Sequence, residues 1–126
     1  MIKSAATRVK LFQLLREMDY TLQVIISPLA YVSKRAQIGD GTIVMHDAMV
    51  NANAKVGKNC IINNKVLIEH DTVIGDNCHI ATGAIVNGEV TVGSESFIGS
   101  GAVTTQSISI GSSSVIGAGT VIKTNV

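Results

Sequence analysis

The 126-residue chain has no tryptophan, one proline, two phenylalanines and two tyrosines, yet 46% of its residues are hydrophobic. Its apolar residues are therefore mostly valine, isoleucine and alanine, which suit the narrow interior of a β-sheet structure. A chain of this length is most simply one compact unit. The composition favours an all-β fold.

Charge and long apolar runs are also scarce. Only 15% of the residues are charged and the formal net charge is +1, which gives no electrostatic reason to expect nucleic acid or an anionic membrane as a partner. No apolar run approaches the roughly 20 residues that span a bilayer. The first residues lack the continuous apolar core of a secretory signal, so we expect a cytoplasmic protein.

A six-residue repeat runs through residues 30–125 without an insertion. The third position of each hexad is Val or Ile except at Thr104, the first is small or aliphatic, and the fourth is often glycine. An α-helix would scatter these positions around its surface, whereas a short strand followed by a turn keeps the first and third positions inward. Glycines 39, 57, 75, 93 and 111 recur every 18 residues, which is three hexads. The repeat therefore predicts a hexapeptide parallel β-helix with a little over five triangular coils, stacked about 4.8 Å apart.

Residues 1–29 lie outside the repeat and are predicted to form a helix–strand cap, leaving residues 30–126 as the β-helix. The pattern from Ser4 to Met18 predicts an amphipathic helix with Ser4 as N-cap. A strand is expected at residues 21–27, and Pro28 marks the entry into the coils. Such a segment would cover the open edge of the first coil.

Residues 18 apart are expected to stack on one edge of the prism. His70 then lies at a corner between Glu69 and Asp71, with Gly88 one coil above it. A histidine can accept a proton from a nucleophile when a partner fixes its tautomer, and either acid could be that partner. The backbone N–H of Gly88 could hold a developing oxyanion. The alternative is that His70 is a solvated turn residue.

The two cysteines, Cys60 and Cys78, are expected to stack in one inward column. Their Cα atoms would lie near 4.8 Å apart, but parallel Cβ vectors give poor disulfide geometry. We predict two small, buried, reduced side chains.

The segments "IEHD", "IGD" and "NGEV" carry a more specific signal than the hexads. With them, the chain resembles the bacterial hexapeptide-repeat sugar acetyltransferases over most of residues 25–125. The branch is that of sialic acid O-acetyltransferases and nucleotide-amino-sugar N-acetyltransferases, typified by NeuD and PglD. The resemblance implies a left-handed coil, a homotrimer with active sites between subunits, and acetyl transfer from acetyl-coenzyme A to an amine or hydroxyl of a sugar. Residues 1–29 would then be the remnant of a sugar-binding domain, with "SP" at the junction in place of the family's "HP".

The resemblance also implies roles for individual residues. His70 is expected to be the general base and Asp71 the acid that orients it. The amide of Gly88 would face the thioester carbonyl, and His79 would contact the acyl end of the cofactor. The remaining expected site residues are Ser100 and Ala118 along the pantetheine arm, and Asn63 and Glu69 on the acceptor side. Asn63 could equally be a turn-forming residue. His46 matches no part of the family pattern and is expected to be a surface residue.

Two other functions fit a hexapeptide prism. A non-catalytic structural or binding trimer would keep the hexads without needing "EHD" opposite a glycine. A zinc-dependent enzyme of the carbonic anhydrase type needs three histidines at the subunit interface. The gaps of 24 residues from His46 to His70 and of 9 from His70 to His79 do not fit that spacing, so no metal is expected.

Overall fold

The computed structural model describes residues 4–126. Within this range it has one helix, α1 (Ala6–Glu17), and seventeen strands of two residues each. The strands are β1 Ile25–Ile26, β2 Tyr31–Val32, β3 Gln37–Ile38, β4 Ile43–Val44, β5 Met49–Val50, β6 Lys55–Val56, β7 Ile61–Ile62, β8 Leu67–Ile68, β9 Val73–Ile74, β10 His79–Ile80, β11 Ile85–Val86, β12 Thr91–Val92, β13 Phe97–Ile98, β14 Val103–Thr104, β15 Ser109–Ile110, β16 Val115–Ile116 and β17 Val121–Ile122.

Every strand pairs in parallel with the strand three places along the chain. The result is three parallel sheets: sheet A in the order β1-β4-β7-β10-β13-β16, sheet B in the order β2-β5-β8-β11-β14-β17, and sheet C in the order β3-β6-β9-β12-β15. Paired residues are 18 apart, as in Ile80 opposite Ile98. The prediction of an all-β, left-handed parallel β-helix with a little over five coils is confirmed.

The core is a single column of side chains inside the prism. The third hexad position is buried through the middle coils, as at Ile62, Ile68 and Ile80. Thr104, the exception to the Val/Ile rule, is also buried, and its Oγ1 accepts the N–H of Asn87 at 2.9 Å. The Thr104 hydroxyl therefore has a hydrogen-bond partner in the core.

Small hydrogen-bonding side chains form a ladder at the first hexad position of sheet A. Thr42 Oγ1 donates to the carbonyl of Gly57 at 2.7 Å, and Cys60 Sγ donates to that of Gly75 at 3.1 Å. Cys78 Sγ repeats the contact one coil higher. Both cysteines are buried free thiols. Hydrogen bonding with Cys78, together with burial, raises the pKa of the Cys60 thiol, which keeps it in the donor form that the ladder requires.

The helix α1 lies along the edge between sheets C and A. Its Phe12 ring contacts Gly41, and the Arg8 guanidinium donates to the carbonyls of Asn59 at 2.6 Å and Asn77 at 3.2 Å. Since these partners belong to successive coils, α1 runs along the side of the column. The division of the chain at residue 29/30 stays a prediction, although β1, before that boundary, already pairs with β4.

Two details of the N-terminal prediction are wrong. The helix begins at Ala6 with Ala5 as its N-cap residue, one position after Ser4, although Ser4 Oγ accepts the N–H of Ala6 at 3.3 Å. The strand expected at residues 21–27 is confined to β1. The apolar side chains of α1 include Leu11 and Leu14, which are about half exposed in this chain.

The glycines between sheets C and A give a matched test of the close stacking. A Cβ on Gly75 would lie 2.6 Å from the backbone nitrogen of Ser94, whereas a Cβ on Gly111 would meet nothing closer than 3.4 Å. Neither glycine has a positive φ, so the backbone tolerates alanine at both. We expect Gly75→Ala to lower the free energy of unfolding by about 1–3 kcal/mol, because a rigid backbone must move.

Gly111→Ala is the control for that substitution. It should be neutral or stabilise by about 0.4–1 kcal/mol, since it only restricts the unfolded chain. Thermal unfolding of both variants at one protein concentration measures the difference. Equal destabilisation would show that the coils are not stacked at this distance.

Candidate active site

His70 lies at the corner that follows β8, between sheets B and C. The N–H of Asp71 donates to the carbonyl of Ala52 at 3.1 Å, and the N–H of Glu89 donates to the carbonyl of His70 at 3.0 Å. These two bonds fix His70 between the coil below and the coil above. The repeat therefore places His70 under Gly88, as the counting of residues predicts.

Asp71, not Glu69, is the side-chain partner of the imidazole. Asp71 Oδ2 lies 2.9 Å from His70 Nδ1, while Glu69 Oε2 accepts only the backbone N–H of His70, at 3.4 Å. The hydrogen bond to Asp71 raises the pKa of His70, and the negative charges of Asp71, Glu69 and Glu89 act in the same direction. A carboxylate on Nδ1 keeps the ring proton there, so the neutral ring presents its Nε2 lone pair.

The imidazole of His70 packs against Gly88 of the coil above. Gly88 is buried, and a Cβ at this position would lie 2.7 Å from His70 Nε2 and 2.8 Å from Cε1. The backbone N–H of Gly88 has no hydrogen-bond acceptor within residues 4–126. Asn87, just before it, is anchored to Thr104 through both its backbone and its side chain. Gly88, which carries an unpaired backbone donor, is therefore in contact with the imidazole of His70, which can accept a proton, and acyl transfer uses groups of both kinds.

A second group of predicted site residues lies on sheet A. Asn63 Nδ2 is 3.3 Å from His79 Nε2, and Asn63 Oδ1 accepts the N–H of Asn64 at 2.8 Å. The His79 ring meets Phe97 edge-on, with centroids 5.3 Å apart. Asn63 therefore shapes its own turn and also contacts His79, while its expected role on the acceptor side stays a prediction.

Ser100 and Ala118 stack above Thr82 on the edge between sheets A and B. The N–H of Gly101 donates to the Thr82 carbonyl at 3.0 Å, and that of Gly119 donates to the Ser100 carbonyl at 2.9 Å. Ser100 and Ala118 are exposed, and their own N–H groups have no acceptor in the described chain. The upper coils thus carry a strip of small side chains with outward-facing amide donors.

The two groups do not meet within one chain. His70 and Gly88 lie on the edge between sheets B and C, whereas Asn63, Ser100 and Ala118 lie on the edge between sheets A and B. The outer face of sheet B separates them. Both edges belong to one site only if a second copy supplies one of them.

The described residues contain neither a metal-binding group nor a membrane-spanning helix. Within residues 4–126, no group of three or more histidine, cysteine, aspartate or glutamate side chains is arranged to hold a metal ion. In the same range, no helix is long and apolar enough to cross a membrane.

The hexads match the family model of bacterial transferase hexapeptide repeats over residues 35–70 and 71–106, which is more than half of the chain. The chain belongs to the bacterial hexapeptide transferase family. A second model, the hexapeptide repeat of succinyl-transferase, matches residues 89–124. Among curated protein sequences, none matches significantly.

Three solved members of this transferase fold are similar over almost the whole chain. The acetyltransferase domain of PglB from Neisseria gonorrhoeae, also solved with acetyl-coenzyme A, is 33% identical with a TM-score of 0.97, and the match covers 99% of this chain and 61% of that one. PerB from Caulobacter crescentus, in complex with CoA and GDP-perosamine, is 32% identical with a TM-score of 0.96, covering 99% and 60%. WeeI from Acinetobacter baumannii is 29% identical with a TM-score of 0.94, covering 99% and 61%.

These likenesses confirm the resemblance to hexapeptide-repeat sugar acetyltransferases. The chain spans about three fifths of the length of these solved structures.

Proposed function

We propose that this hexapeptide transferase moves the acetyl group of acetyl-coenzyme A to the amino group of a sugar. The observation that carries the proposal is the His70 imidazole, which is hydrogen-bonded to Asp71 and packs against Gly88, whose N–H is unpaired in the described chain. Similar structures bound to acetyl-coenzyme A, or to CoA with GDP-perosamine, support the donor and the sugar class. With this donor, we propose the cytoplasm as the site of the reaction.

The proposed mechanism uses one proton acceptor and one oxyanion donor. His70 Nε2 takes a proton from the acceptor amine as the nitrogen attacks the thioester carbonyl carbon and the C–N bond forms. The Gly88 N–H holds the negative charge that develops on the carbonyl oxygen. Collapse of the tetrahedral intermediate breaks the C–S bond, and the coenzyme thiolate takes the proton back from His70. Asp71 holds the Nδ1 proton throughout.

We further propose that the active chain is a homotrimer with the site shared between subunits. Sheets A and B present outward apolar side chains, among them Ile61, Leu67 and Ile85, whereas sheet C presents Lys55, Thr91 and Ser109 beside one exposed valine, Val73. Two apolar faces per chain let each copy contact two neighbours and close a ring. In such an assembly, His70 of one copy would face the group formed by Asn63, His79, Ser100 and Ala118 of another.

The competing function is a non-catalytic structural or binding trimer, and a thiol-release assay separates the two. Purified protein is incubated with acetyl-coenzyme A and a panel of free amino sugars, nucleotide-linked amino sugars and sialic acids. Acceptor-dependent thiol release supports the transferase. Light scattering should give a mass near three times the 13.2 kDa chain. No release with any acceptor, and no thermal stabilisation by millimolar acetyl-coenzyme A, would favour the structural alternative.

The pH dependence of kcat/KM tests the pairing of His70 with Asp71. His70 acts as a base only when neutral, and its raised pKa places the acidic limb of the profile above 6.5. Asp71→Asn removes the largest cause of the raised pKa, so the limb should move to lower pH. The plateau should also fall, because the Nδ1 tautomer is no longer held.

Glu89→Gln is the matched variant, because the Glu89 side chain affects the pKa of His70 only by its charge and is the weakest of the causes that raise it. It should move the limb in the same direction by less and leave the plateau in place. A limb that stays where it is in Asp71→Asn would mean that another group controls the profile.

A further inference from the structure

His46 and Ser27 form a side-chain pair that the proposed mechanism does not use. Ser27 Oγ lies 2.6 Å from His46 Nδ1, and the pair occupies the lower coils at the edge between sheets A and B. Ser27 is only 9% exposed, whereas the imidazole of His46 is exposed. A buried hydroxyl therefore holds an exposed ring in one orientation, at the conformational cost that ordering a surface side chain carries.

The hydrogen bonds around Ser27 determine which ring nitrogen carries the proton. Ser27 Oγ accepts the backbone N–H of Leu29 at 3.1 Å. Within residues 4–126 the Ser27 hydroxyl hydrogen has no other acceptor, so it is donated to His46 Nδ1, because a buried hydroxyl hydrogen left without an acceptor is costly. The neutral imidazole therefore carries its proton on Nε2, on the side of the ring away from Ser27. His46 is a fixed outward hydrogen-bond donor.

His46 lies directly below the residues proposed to hold the reacting groups. The N–H of Lys65 donates to the carbonyl of His46 at 3.0 Å, which stacks His46 one coil beneath Asn64, the neighbour of Asn63. Asn63 in turn contacts His79. With the cofactor along Ser100 and Ala118 in the upper coils and its acetyl end at His79, the acceptor must extend in the other direction. That direction leads down the same edge to His46, about 4.8 Å lower.

We infer that His46 is a binding residue for the acceptor, donating its Nε2–H to an oxygen of the amino-sugar substrate, and that Ser27 is its positioning residue. The inference rests on the proposed function and deepens it, because it assigns acceptor binding to the lower part of the edge between sheets A and B. A sugar hydroxyl and a phosphate share the chemistry that this donor recognises. The reacting amine lies at Asn63 and the rest of the acceptor lies below it.

Steady-state kinetics with saturating acetyl-coenzyme A test the inference. His46→Ala should raise the KM for the acceptor about 5- to 10-fold, the effect of one lost hydrogen bond, with kcat and the KM for acetyl-coenzyme A unchanged. His46→Gln should stay near the wild type, because its amide nitrogen can reach the Nε2 position. Lys58→Ala, an exposed truncation on another edge, serves as the control and should change nothing.

The role of Ser27 needs a readout that a merely structural residue would not move. Ser27→Ala should raise the KM for the acceptor by less than His46→Ala does, and the double variant should equal His46→Ala alone, because Ser27 acts only through the ring. Additive effects would show that Ser27 does not position His46.

Two acceptors distinguish the source of the oxygen. A rise in KM with both a free and a nucleotide-linked amino sugar indicates a sugar hydroxyl, and a rise only with the nucleotide-linked acceptor indicates a phosphate. If wild type turns over an acceptor and His46→Ala matches it in every constant, the inference is wrong while the proposed function stands. If wild type neither turns over nor binds any acceptor by calorimetry, the proposed function fails and the inference fails with it.

Discussion

Replacing His70 by alanine is expected to lower kcat by about 100- to 10,000-fold, the usual contribution of a positioned general base. The physical reason is that the attacking nitrogen must lose a proton as the C–N bond forms, and the proposed acceptor of that proton is His70 Nε2, which lies against Gly88. The measurement is thiol release with saturating acetyl-coenzyme A and acceptor. The KM for acetyl-coenzyme A should change little, because His70 is not on the strip formed by Ser100 and Ala118.

The His70→Ala variant should fold normally, since the side chain is exposed and belongs to no core contact. Thermal unfolding within a few degrees of wild type would establish this. Added imidazole should restore part of the rate, because the truncation leaves room on the open Gly88 surface for a free base. His70→Asn supplies a control of similar shape that cannot accept the proton. A variant that keeps a comparable rate would move the base to another residue, with His79 the first to examine.

The second large effect is expected from a single methyl group. Gly88→Ala places a Cβ only 2.7 Å from His70 Nε2 and 2.8 Å from Cε1, so the imidazole must move away. Gly88 does not have a positive φ, and alanine therefore fits the backbone itself. A displacement of about 1 Å at a reacting group costs on the order of 100-fold in rate, and we expect kcat to fall by about that factor.

Gly111→Ala is the control for Gly88→Ala. It also adds a methyl group at a corner glycine without a positive φ, but into space with no atom closer than 3.4 Å. It should keep kcat within about twofold, as expected for a surface substitution away from a special feature. A Gly88→Ala variant with wild-type kcat and an unshifted pH profile would show that the imidazole does not act from its position against Gly88.

Both predictions depend on the stacking of His70 beneath Gly88, which can be derived by counting residues in the sequence. Because the hexads have no insertion, each step of 18 residues returns the chain to the same edge, and His70 must lie under Gly88. Inter-strand hydrogen bonds have a fixed spacing, so a sequence period becomes a distance. The same arithmetic places His70 six positions away in phase from Ser100, which means a different edge. The separation of the proposed base, His70, from the proposed cofactor-binding strip was therefore available from the sequence as well.

Side-chain partners were not available from the period. Glu69 and Asp71 both flank His70, and only the conformation decides between them. Asp71 occupies the sixth hexad position with φ of 58°, which turns its carboxylate toward Nδ1. In the sequence Thr104 only interrupts the Val/Ile pattern, yet in the structure it anchors Asn87, the neighbour of the proposed oxyanion donor Gly88. The Ser27–His46 bond joins residues 19 apart, one more than a coil, so pairing residues that are 18 apart does not reveal it.

The sequence by itself determined the coil, its register, the inward and outward faces, and the family to which the chain belongs, because a strict period of six leaves one way to bury Val and Ile at every third position. Only the tertiary structure decided which acid holds His70, why residue 88 must lack a side chain, where α1 packs and how Ser27 orients His46. Those outcomes depend on rotamers and on contacts of a few tenths of an ångström between neighbouring coils, which a repeating pattern of residue types does not encode.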